Sequence, residues 1–118
     1  MNPKLWTVRL SATAQEDYKQ ILRWSRDSFG QLQARVYKAT LDLALKDLCE
    51  GPEIVGVKLR SDLYPDSYTL HVERKGRKGR HFIHFQVGAA ADGRSLNVLR
   101  ILHDQMDLAR HLAADDLH

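Results

Sequence analysis

The stretch RHFIHFQVGAAADGRSLNVLRILH, residues 80–103, decides the fold of this chain. Its apolar residues Ile83, Phe85 and Val87 recur at every second position, which places them on one face of a strand. The Asp-Gly pair at 92–93 is typical of a tight reversal, because both residues tolerate the backbone angles that a turn requires. The run that follows is almost continuously apolar, as in a central strand that is covered on both faces. The stretch therefore predicts two neighbouring strands joined by a turn.

Upstream of this stretch, alternation and capping signals predict one more strand and two helices. Residues 5–10 alternate as a strand, and Ser11 after them is a typical helix N-cap because its hydroxyl can accept from first-turn amides. A helical stripe covers residues 12–28 and stops at Gly30, and a second helix covers residues 31–48. A connection this short predicts an antiparallel helix hairpin. The apolar stripes consist of Ala14, Tyr18, Ile21, Leu22, Ser25 and Phe29 in the first helix, and of Leu32, Val36, Tyr37, Leu41, Ala44, Leu45 and Leu48 in the second.

Between the helices and the opening stretch, the sequence predicts one further strand and a basic turn. Residues 52–65 are irregular, with a brief extended piece at 57–59, and residues 68–73 alternate as a plain strand. The turn at residues 74–79 leads into the opening stretch. The element order β-α-α-β-β-β predicts an α+β fold in which an antiparallel helix hairpin packs on one face of a mainly antiparallel four-stranded sheet. We expect residues 1–118 to form a single domain.

The helix hairpin can cover only one face of such a sheet. If Leu70, Ile83 and Phe85 face the helices, alternation places the residues between them on the second face. We expect that face to be uncovered and to invite a partner, because it mixes apolar and cationic side chains. The residues predicted there are Thr69, His71, Phe82, His84, Gln86, Val98, Arg100 and Leu102, with Leu99 and Ile101 on the helix side.

Composition bounds the class of protein. The chain has 118 residues, of which 43% are apolar and 28% charged, as in an ordinary soluble domain. No apolar run approaches the roughly 20 residues that a membrane span needs, and no secretory leader precedes the first strand. The single cysteine, Cys49, cannot form an internal disulfide. We therefore expect a cytoplasmic protein with no membrane partner.

Positive charge is concentrated in one short segment, although the net charge is only +3. Such a cluster suits an acidic partner, and the alternative is a turn that its charge keeps solvated. The cluster consists of Arg74, Lys75, Arg77, Lys78 and Arg80. All six histidines lie in the C-terminal half. Neither a cysteine nor a third ligand stands at a recognisable metal spacing, so the sequence predicts no metal site and no cofactor.

Two segments of the chain resemble the ParE/RelE superfamily of bacterial toxins, and in particular its ParE branch. The opening VRLSATAQEDYKQILRWSRDSFG, residues 8–30, has the strand-then-helix order of these toxins. The closing segment matches the tail I-L-H-x-x-M-D-x-x-R-H-L that is typical of ParE. That match is made by Ile101, Leu102, His103, Met106, Asp107, Arg110, His111 and Leu112. The similarity therefore extends over nearly the whole chain.

The resemblance implies the toxin component of a type II toxin–antitoxin system, namely a ParE-type inhibitor of DNA gyrase. Toxins of this branch act by binding and not by covalent chemistry, so we do not expect an enzyme. The resemblance also implies a ParD-like antitoxin as partner, a role in plasmid stabilisation or growth arrest, and no sequence-specific DNA binding by the toxin itself. The candidates for contact with the target or the antitoxin are Arg74, Lys75, Arg77, Lys78, Arg80, Arg100 and Arg110.

The alternative within the superfamily is a RelE-type ribonuclease that cuts messenger RNA on the ribosome. Such chemistry requires a general base, a general acid and cations at the phosphate. Phe82 stands where RelE has a strand arginine, and Thr69 and His71 stand where RelE has paired lysines. No tyrosine follows Tyr68, so the C-terminal catalytic tyrosine is absent. These departures favour ParE, and the ribonuclease candidates would be His71, His84, Arg100 and His103.

Two of these candidates have structural alternatives. Arg100 is a cation within an apolar strand, where no stabilising role is evident, but a salt bridge to an acid such as Glu73 would also explain it. His103 could act in catalysis, or it could tie down the C-terminal turn together with Asp107 through hydrogen bonds to the backbone.

The helix hairpin also offers a groove for an amphipathic helix of the antitoxin. A disordered acidic segment that folds on binding could occupy this groove and wrap the toxin surface. Trp24 lies one step off the first helical stripe, so it belongs to the edge of the core or is bound by another chain. The predicted rim of the groove consists of Arg23, Arg26, Arg35 and Lys38.

Overall fold

A computed structural model describes residues 5–89, 91 and 93–105 of the chain. Within this part the elements follow the predicted order, and both predicted helices are confirmed to within one residue. The elements are β1 (Thr7–Leu10), α1 (Ala12–Phe29), α2 (Gln31–Leu48), β2 (Lys58–Leu59), β3 (Ser67–His71), β4 (His81–Val87) and β5 (Ser95–His103).

Local signals explain where α1 begins and ends. The Ser11 hydroxyl accepts a hydrogen bond from the Ala14 backbone N–H at 3.0 Å, which confirms the predicted N-cap. At the other end, Gly30 has φ 95° and ψ 169°, a backbone conformation that only glycine adopts without strain. α2 begins at the next residue, so Gly30 is the corner of the helix hairpin.

The described strands form one sheet in the order β1-β5-β4-β3-β2. β1 runs parallel to β5, and the other neighbouring strands are antiparallel. The predicted α+β fold with a mainly antiparallel sheet is confirmed, but the sheet has five strands and not four. The additional strand is the two-residue β2, which lies at one edge where the sequence predicted only a brief extended piece.

The main core lies between the helix hairpin and one face of the sheet. Leu41, Ala44 and Leu48 of α2 are fully buried and belong to the same cluster as Ile83 and Phe85 of β4. This confirms the predicted orientation of β4. The remaining buried members of the cluster are Ala14, Leu70, Val72, Leu96, Val98 and Ile101.

The prediction for the second face is wrong in two respects. Val98 lies in the helix-side core, because a β-bulge shifts the register of β5: His84 pairs with Arg100, whereas Phe85 pairs with Val98. The expected uncovered face is also largely buried. Thr69, His84 and Leu102 are 2%, 1% and 2% exposed, and Leu63, from the loop between β2 and β3, packs against Leu102 and Phe82.

The predicted helical stripes extend too far toward Gly30. Phe29, Leu32 and Val36 are 64%, 76% and 53% exposed, although the sequence assigned them to the buried stripes. Trp24 is 59% exposed, so it lies outside the core. The exposed side chains of Trp24, Phe29, Leu32 and Val36 are together called the apolar corner below. Among the described helices, none is long and apolar enough to cross a membrane.

Candidate functional site

The basic cluster of residues 74–80 is held against α2 by one carboxylate. Asp47, in the last turn of α2, accepts from Arg74 Nε at 3.0 Å, Lys75 Nζ at 3.3 Å and Arg77 Nη2 at 3.0 Å. Burial alone would raise the pKa of Asp47, but the hydrogen bonds from these three cations outweigh it and leave the pKa below its usual value. Asp47 and its three partners are called the Asp47 hub below.

The Asp47 hub gives the basic segment a defined shape. Arg74 also donates from Nη1 to the carbonyl of Val55 at 2.7 Å, which ties it to the loop before β2. Lys75 and Gly76 have φ values of 54° and 80°, which turn the chain so that the Arg77 N–H donates to the Arg74 carbonyl. The segment is therefore a structured turn in which three cations share one carboxylate and retain an excess of positive charge.

A second polar cluster lies at the end of the sheet, around Asp104. The carboxylate accepts from His71 Nε2 at 3.0 Å and from Arg80 Nε at 3.2 Å. The hydrogen bond from His71 lowers the pKa of Asp104 despite the opposing effect of burial, and Arg80 lowers it further. His71 Nδ1 accepts from the Glu73 backbone N–H at 2.9 Å, so its ring proton lies on Nε2, toward Asp104.

His81 connects this end of the sheet to α2. The Arg80 backbone N–H donates to Tyr37 Oη at 2.9 Å, and Tyr37 Oη lies 2.6 Å from His81 Nδ1. The hydrogen-bond chain is complete when the Tyr37 hydroxyl donates to Nδ1, which leaves the His81 proton on Nε2. Burial, followed by the charge of His103, lowers the pKa of His81 to about 4, so the ring is neutral at physiological pH.

His103 faces His81 across the β4–β5 pair, with ring centroids 5.2 Å apart. Its Nδ1 accepts from the Gln105 backbone N–H at 3.1 Å, which places its own proton on Nε2. The bond supports the predicted alternative in which His103 ties down the C-terminal turn. The predicted partner in that role, Asp107, lies outside the described residues.

Arg100 has a structural partner, and it is not Glu73. Its Nε and Nη2 donate to the two carboxylate oxygens of Asp17 at 2.8 and 3.1 Å, and the Ile101 N–H donates to the same carboxylate at 3.0 Å. The salt-bridge alternative therefore holds for Arg100, with Asp17 in place of Glu73 as the acid. β1 leads directly into α1, and β5 pairs with β1, so the first turns of α1 lie beside the end of β5.

His84 differs from His71 and His103 because its side chain is almost completely buried. The ring is 1% exposed, and neither of its nitrogens has a hydrogen-bond partner within the described part of the chain. Burial, followed by the charges of Arg60 and Arg100, lowers its pKa. The four ribonuclease candidates thus fall into two groups: His71 and His103 lie near Asp104, whereas His84 pairs with Arg100 in the sheet.

The remaining predicted site residues lie in different settings. Arg80 and Lys78 are exposed at the start of β4, and Arg110 lies outside the described residues, as does most of the closing motif. On the predicted rim, Lys38 pairs with Asp42 at 2.7 Å and Arg26 with Asp27 at 3.2 Å. Within the described part of the chain, no group of three His, Cys, Asp or Glu side chains could hold a metal ion.

Sequence reasoning missed four residues of these clusters: Asp47, Asp104, Tyr37 and His81. Asp47 is one of several acids on α2, and Tyr37 was counted only as part of an apolar stripe. His81 offered a usable signal, because it shares the parity of Ile83 and Phe85 and therefore faces the helices. Their partners lie too far along the chain for spacing to reveal them.

Comparison with known proteins agrees with this architecture. Residues 8–108 match the family model described as the ParE toxin of the type II toxin–antitoxin system, parDE. The chain is also 34% identical over 106 residues to a Toxin ParE of Escherichia coli, with 88% of this chain and 90% of the relative covered. The chain belongs to the ParE toxin family. Within the ParE/RelE superfamily it is thus a toxin of a type II toxin–antitoxin system.

Solved structures of the superfamily share the fold of this ParE family member. The chromosomal ParDE toxin–antitoxin system of P. aeruginosa matches with a TM-score of 0.58 at 19% identity, covering 85% of this chain and 97% of that chain. The RelBE2 toxin–antitoxin complex of Mycobacterium tuberculosis matches with a TM-score of 0.55 at 22% identity, covering 86% of this chain and 94% of that chain. A mutant of E. coli RelE in the free state matches with a TM-score of 0.58 at 16% identity, covering 97% of this chain and 99% of that chain.

Proposed function

We propose that this ParE family toxin inhibits DNA gyrase by binding and that a ParD-like antitoxin neutralises it. The observation that carries the proposal is the ParE match over residues 8–108, together with 34% identity to a Toxin ParE. The proposal places the toxin in the cytoplasm, where gyrase acts on DNA, and it implies growth arrest or plasmid stabilisation as the biological outcome. No covalent chemistry by the toxin is required.

The separation of the ribonuclease candidates supports a binding function. His84 is buried, and the Arg100 guanidinium is occupied by Asp17, so neither is presented to an RNA phosphate. General acid–base cleavage requires each group to lie within hydrogen-bond reach of the substrate atom to or from which it transfers a proton. The set predicted for a ribonuclease does not meet that requirement.

The basic cluster suits recognition of an acidic surface. The Asp47 hub holds three of its cations in place, so that their excess charge is presented without the entropy loss of ordering a mobile loop. Lys78 and Arg80 add exposed positive charge beside it. A concentrated positive potential of this kind accelerates association with an acidic partner.

The antitoxin is the partner that the structural relatives suggest, because two of them are described as toxin–antitoxin systems or complexes. The apolar corner offers a place for the apolar face of an antitoxin helix, since its four side chains are more than half exposed. Arg23 and Arg35 stand near it in sequence and would face acidic residues on the partner. A segment that folds on binding could extend from this corner to the basic cluster.

The test separates gyrase inhibition from RNA cleavage in parallel reactions. Purified toxin is added to a gyrase supercoiling assay and to translating ribosomes, and the toxin–antitoxin complex serves as the matched control. We expect loss of supercoiling with the free toxin, intact message on the ribosomes, and no effect of the complex. Normal supercoiling in the presence of cleaved message would overturn the proposal.

RNA cleavage of the RelE type is the second candidate, and one observation favours it. Asp104 accepts from both His71 and Arg80 at the end of the sheet, and His103 lies beside them. This cluster has the groups that an acid–base ribonuclease needs, even though the predicted set is split. If the ribosome assay shows cleavage, His71→Gln and His103→Gln should reduce it, whereas His84→Gln should reduce it less.

A further inference from the structure

A cavity of about 440 Å³ lies between the apolar corner and the turn from β3 to β4. Trp24 and Phe29 form one wall, and their rings meet edge to face with centroids 5.5 Å apart. Both side chains are more than half exposed, so the aromatic surface outside their mutual contact is accessible to a ligand. A cavity of 300–1,000 Å³ with an aromatic wall and a few convergent polar groups is typical of a small-molecule site.

The floor of the cavity consists of hydrogen-bond donors. Tyr37, His81 and His103 line it. The Tyr37 hydroxyl already donates to His81, so the donors that remain are the two histidines, whose bonds at Nδ1 leave the ring protons on Nε2. At the rim, Lys78 and Arg80 are exposed cations, and Arg80 also donates from Nε to Asp104. Lys78, the other N–H groups of Arg80 and the two histidine donors together suit a phosphate group, because it combines high charge density with several acceptor oxygens.

Close packing maintains the shape of this floor. A Cβ at Gly79 would clash with a methyl group of Val72 and would lie 3.2 Å from Tyr37 Oη. The backbone at Gly79 can therefore approach Tyr37 only because it carries no side chain. The Arg80 N–H then reaches Tyr37 Oη, which completes the hydrogen-bond chain to His81.

We infer that this cavity binds a nucleoside monophosphate, with the base stacked on Trp24 and the phosphate between the cationic rim and the histidine floor. Stacking on an aromatic side chain tolerates any base and contributes substantially to nucleotide binding. Gln33 and Glu73 line the same cavity and can hydrogen-bond to the edge of the base. The inference goes beyond the proposed toxin function, and it requires neither gyrase nor the antitoxin.

The test uses the fluorescence of Trp24, one of two tryptophans in the chain, in a Trp6→Phe background. Titration with AMP and with GMP should quench Trp24 saturably, because stacking brings the base against the indole. Adenosine and inorganic phosphate should each bind at least about tenfold more weakly than AMP, since each makes only part of the contacts. Calorimetry of AMP binding to the unmodified chain provides a second measurement that does not depend on Trp6→Phe.

Matched variants separate the cavity from general charge. Lys78→Gln should weaken AMP binding about tenfold, because an ammonium–phosphate contact is lost. Lys58→Gln, which removes an exposed lysine from β2, should leave binding unchanged. Gly79→Ala should weaken binding of both AMP and phosphate, and circular dichroism verifies that each variant is folded.

Three results would overturn the inference. One is the absence of saturable AMP or GMP binding up to millimolar concentration in both fluorescence and calorimetry. Another is an equal loss of binding in Lys58→Gln and Lys78→Gln. The third is saturable binding of an acidic peptide with a central aromatic residue, with no displacement of the peptide by AMP. The cavity would then be a peptide anchor site.

Discussion

Asp47 shows how one residue shapes a candidate binding surface. Both carboxylate oxygens are used, Oδ2 by Arg74 and Arg77 and Oδ1 by Lys75, and the Asp47 side chain is only 14% exposed. Without the carboxylate, three cations would face one another at close range, two of them with side chains 14% and 19% exposed. Partly buried charges of one sign repel more strongly than exposed ones, because water screens them less.

Asp47→Asn should therefore destabilise the protein by about 2 kcal/mol, between the values for surface and buried ion pairs. The free energy of unfolding, measured by urea titration, provides the check. Asp27→Asn is the matched control, because Asp27 pairs with Arg26 through side chains that are 63% and 52% exposed. Equal effects of the two substitutions would contradict the role of the Asp47 hub.

His81 makes stability depend on pH. Its pKa of about 4 in the folded state lies below the ordinary value of 6.5, so the unfolded chain binds the proton more readily. Stability contributed by neutral His81 is fully present above about pH 6.5 and is lost as pH falls toward 4. Between pH 7.5 and pH 5 we expect a loss of about 2 kcal/mol from this group.

Urea unfolding at the two pH values measures that loss, and His81→Gln should reduce it. The glutamine carbonyl can still accept from Tyr37 but does not titrate. Buried His84 also has a lowered pKa, so some dependence on pH should persist in the variant. A loss of the same size in wild type and His81→Gln would exclude His81 as its source.

At the scale of elements, the turn between the helices depends on one glycine. Gly30 lies in a region of φ and ψ that side chains disfavour, yet a Cβ there would meet no atom within 4 Å. The cost of a substitution is therefore backbone strain alone. This corner fixes how α2 returns along α1, and with it the position of the exposed Trp24 and Phe29.

Gly30→Ala and Gly30→Asn should each lower the free energy of unfolding by about 1–3 kcal/mol. Asparagine should not rescue the loss, because ψ 169° lies outside the left-handed helical region that asparagine tolerates. Thermal unfolding of both variants provides the measurement. A neutral Asn variant would show that the corner relaxes to a different turn.

At the scale of the whole molecule, the basic cluster should control the rate of antitoxin association. The arginines of the Asp47 hub hold the fold, so the informative changes are at exposed Lys75 and Lys78. Reversing both charges weakens the attraction of an acidic segment over distances of about a Debye length, which shrinks as salt rises. The effect should therefore be large at low salt and small at high salt.

Stopped-flow mixing of Lys75→Glu/Lys78→Glu toxin with antitoxin measures this dependence. At low salt we expect the double variant to associate about tenfold or more slowly than wild type. At high salt the two association rates should become similar. Lys58→Glu, on the short edge strand β2, is the matched control. An unchanged rate for the double variant at low salt would remove the basic cluster from the encounter surface and leave it as a solvated turn.

The sequence by itself determined the elements and the family of this protein. Strand alternation, the Ser11 cap and the Gly30 stop depend on neighbours within a few residues, so spacing along the chain was sufficient to predict them. The same holds for the orientation of Ile83 and Phe85. The strand-then-helix opening and the closing motif pointed to ParE toxins, and the family match confirms that assignment.

Only the tertiary structure decided which charges meet. Arg100 and Asp17 are 83 residues apart, Tyr37 and His81 are 44 apart, and several carboxylates were equally plausible partners in the sequence. The β-bulge that moves Val98 to the helix side depends on how β4 and β5 align, which a single strand does not encode. Long-range pairing follows from the packed fold, because only the fold brings distant residues within hydrogen-bond reach.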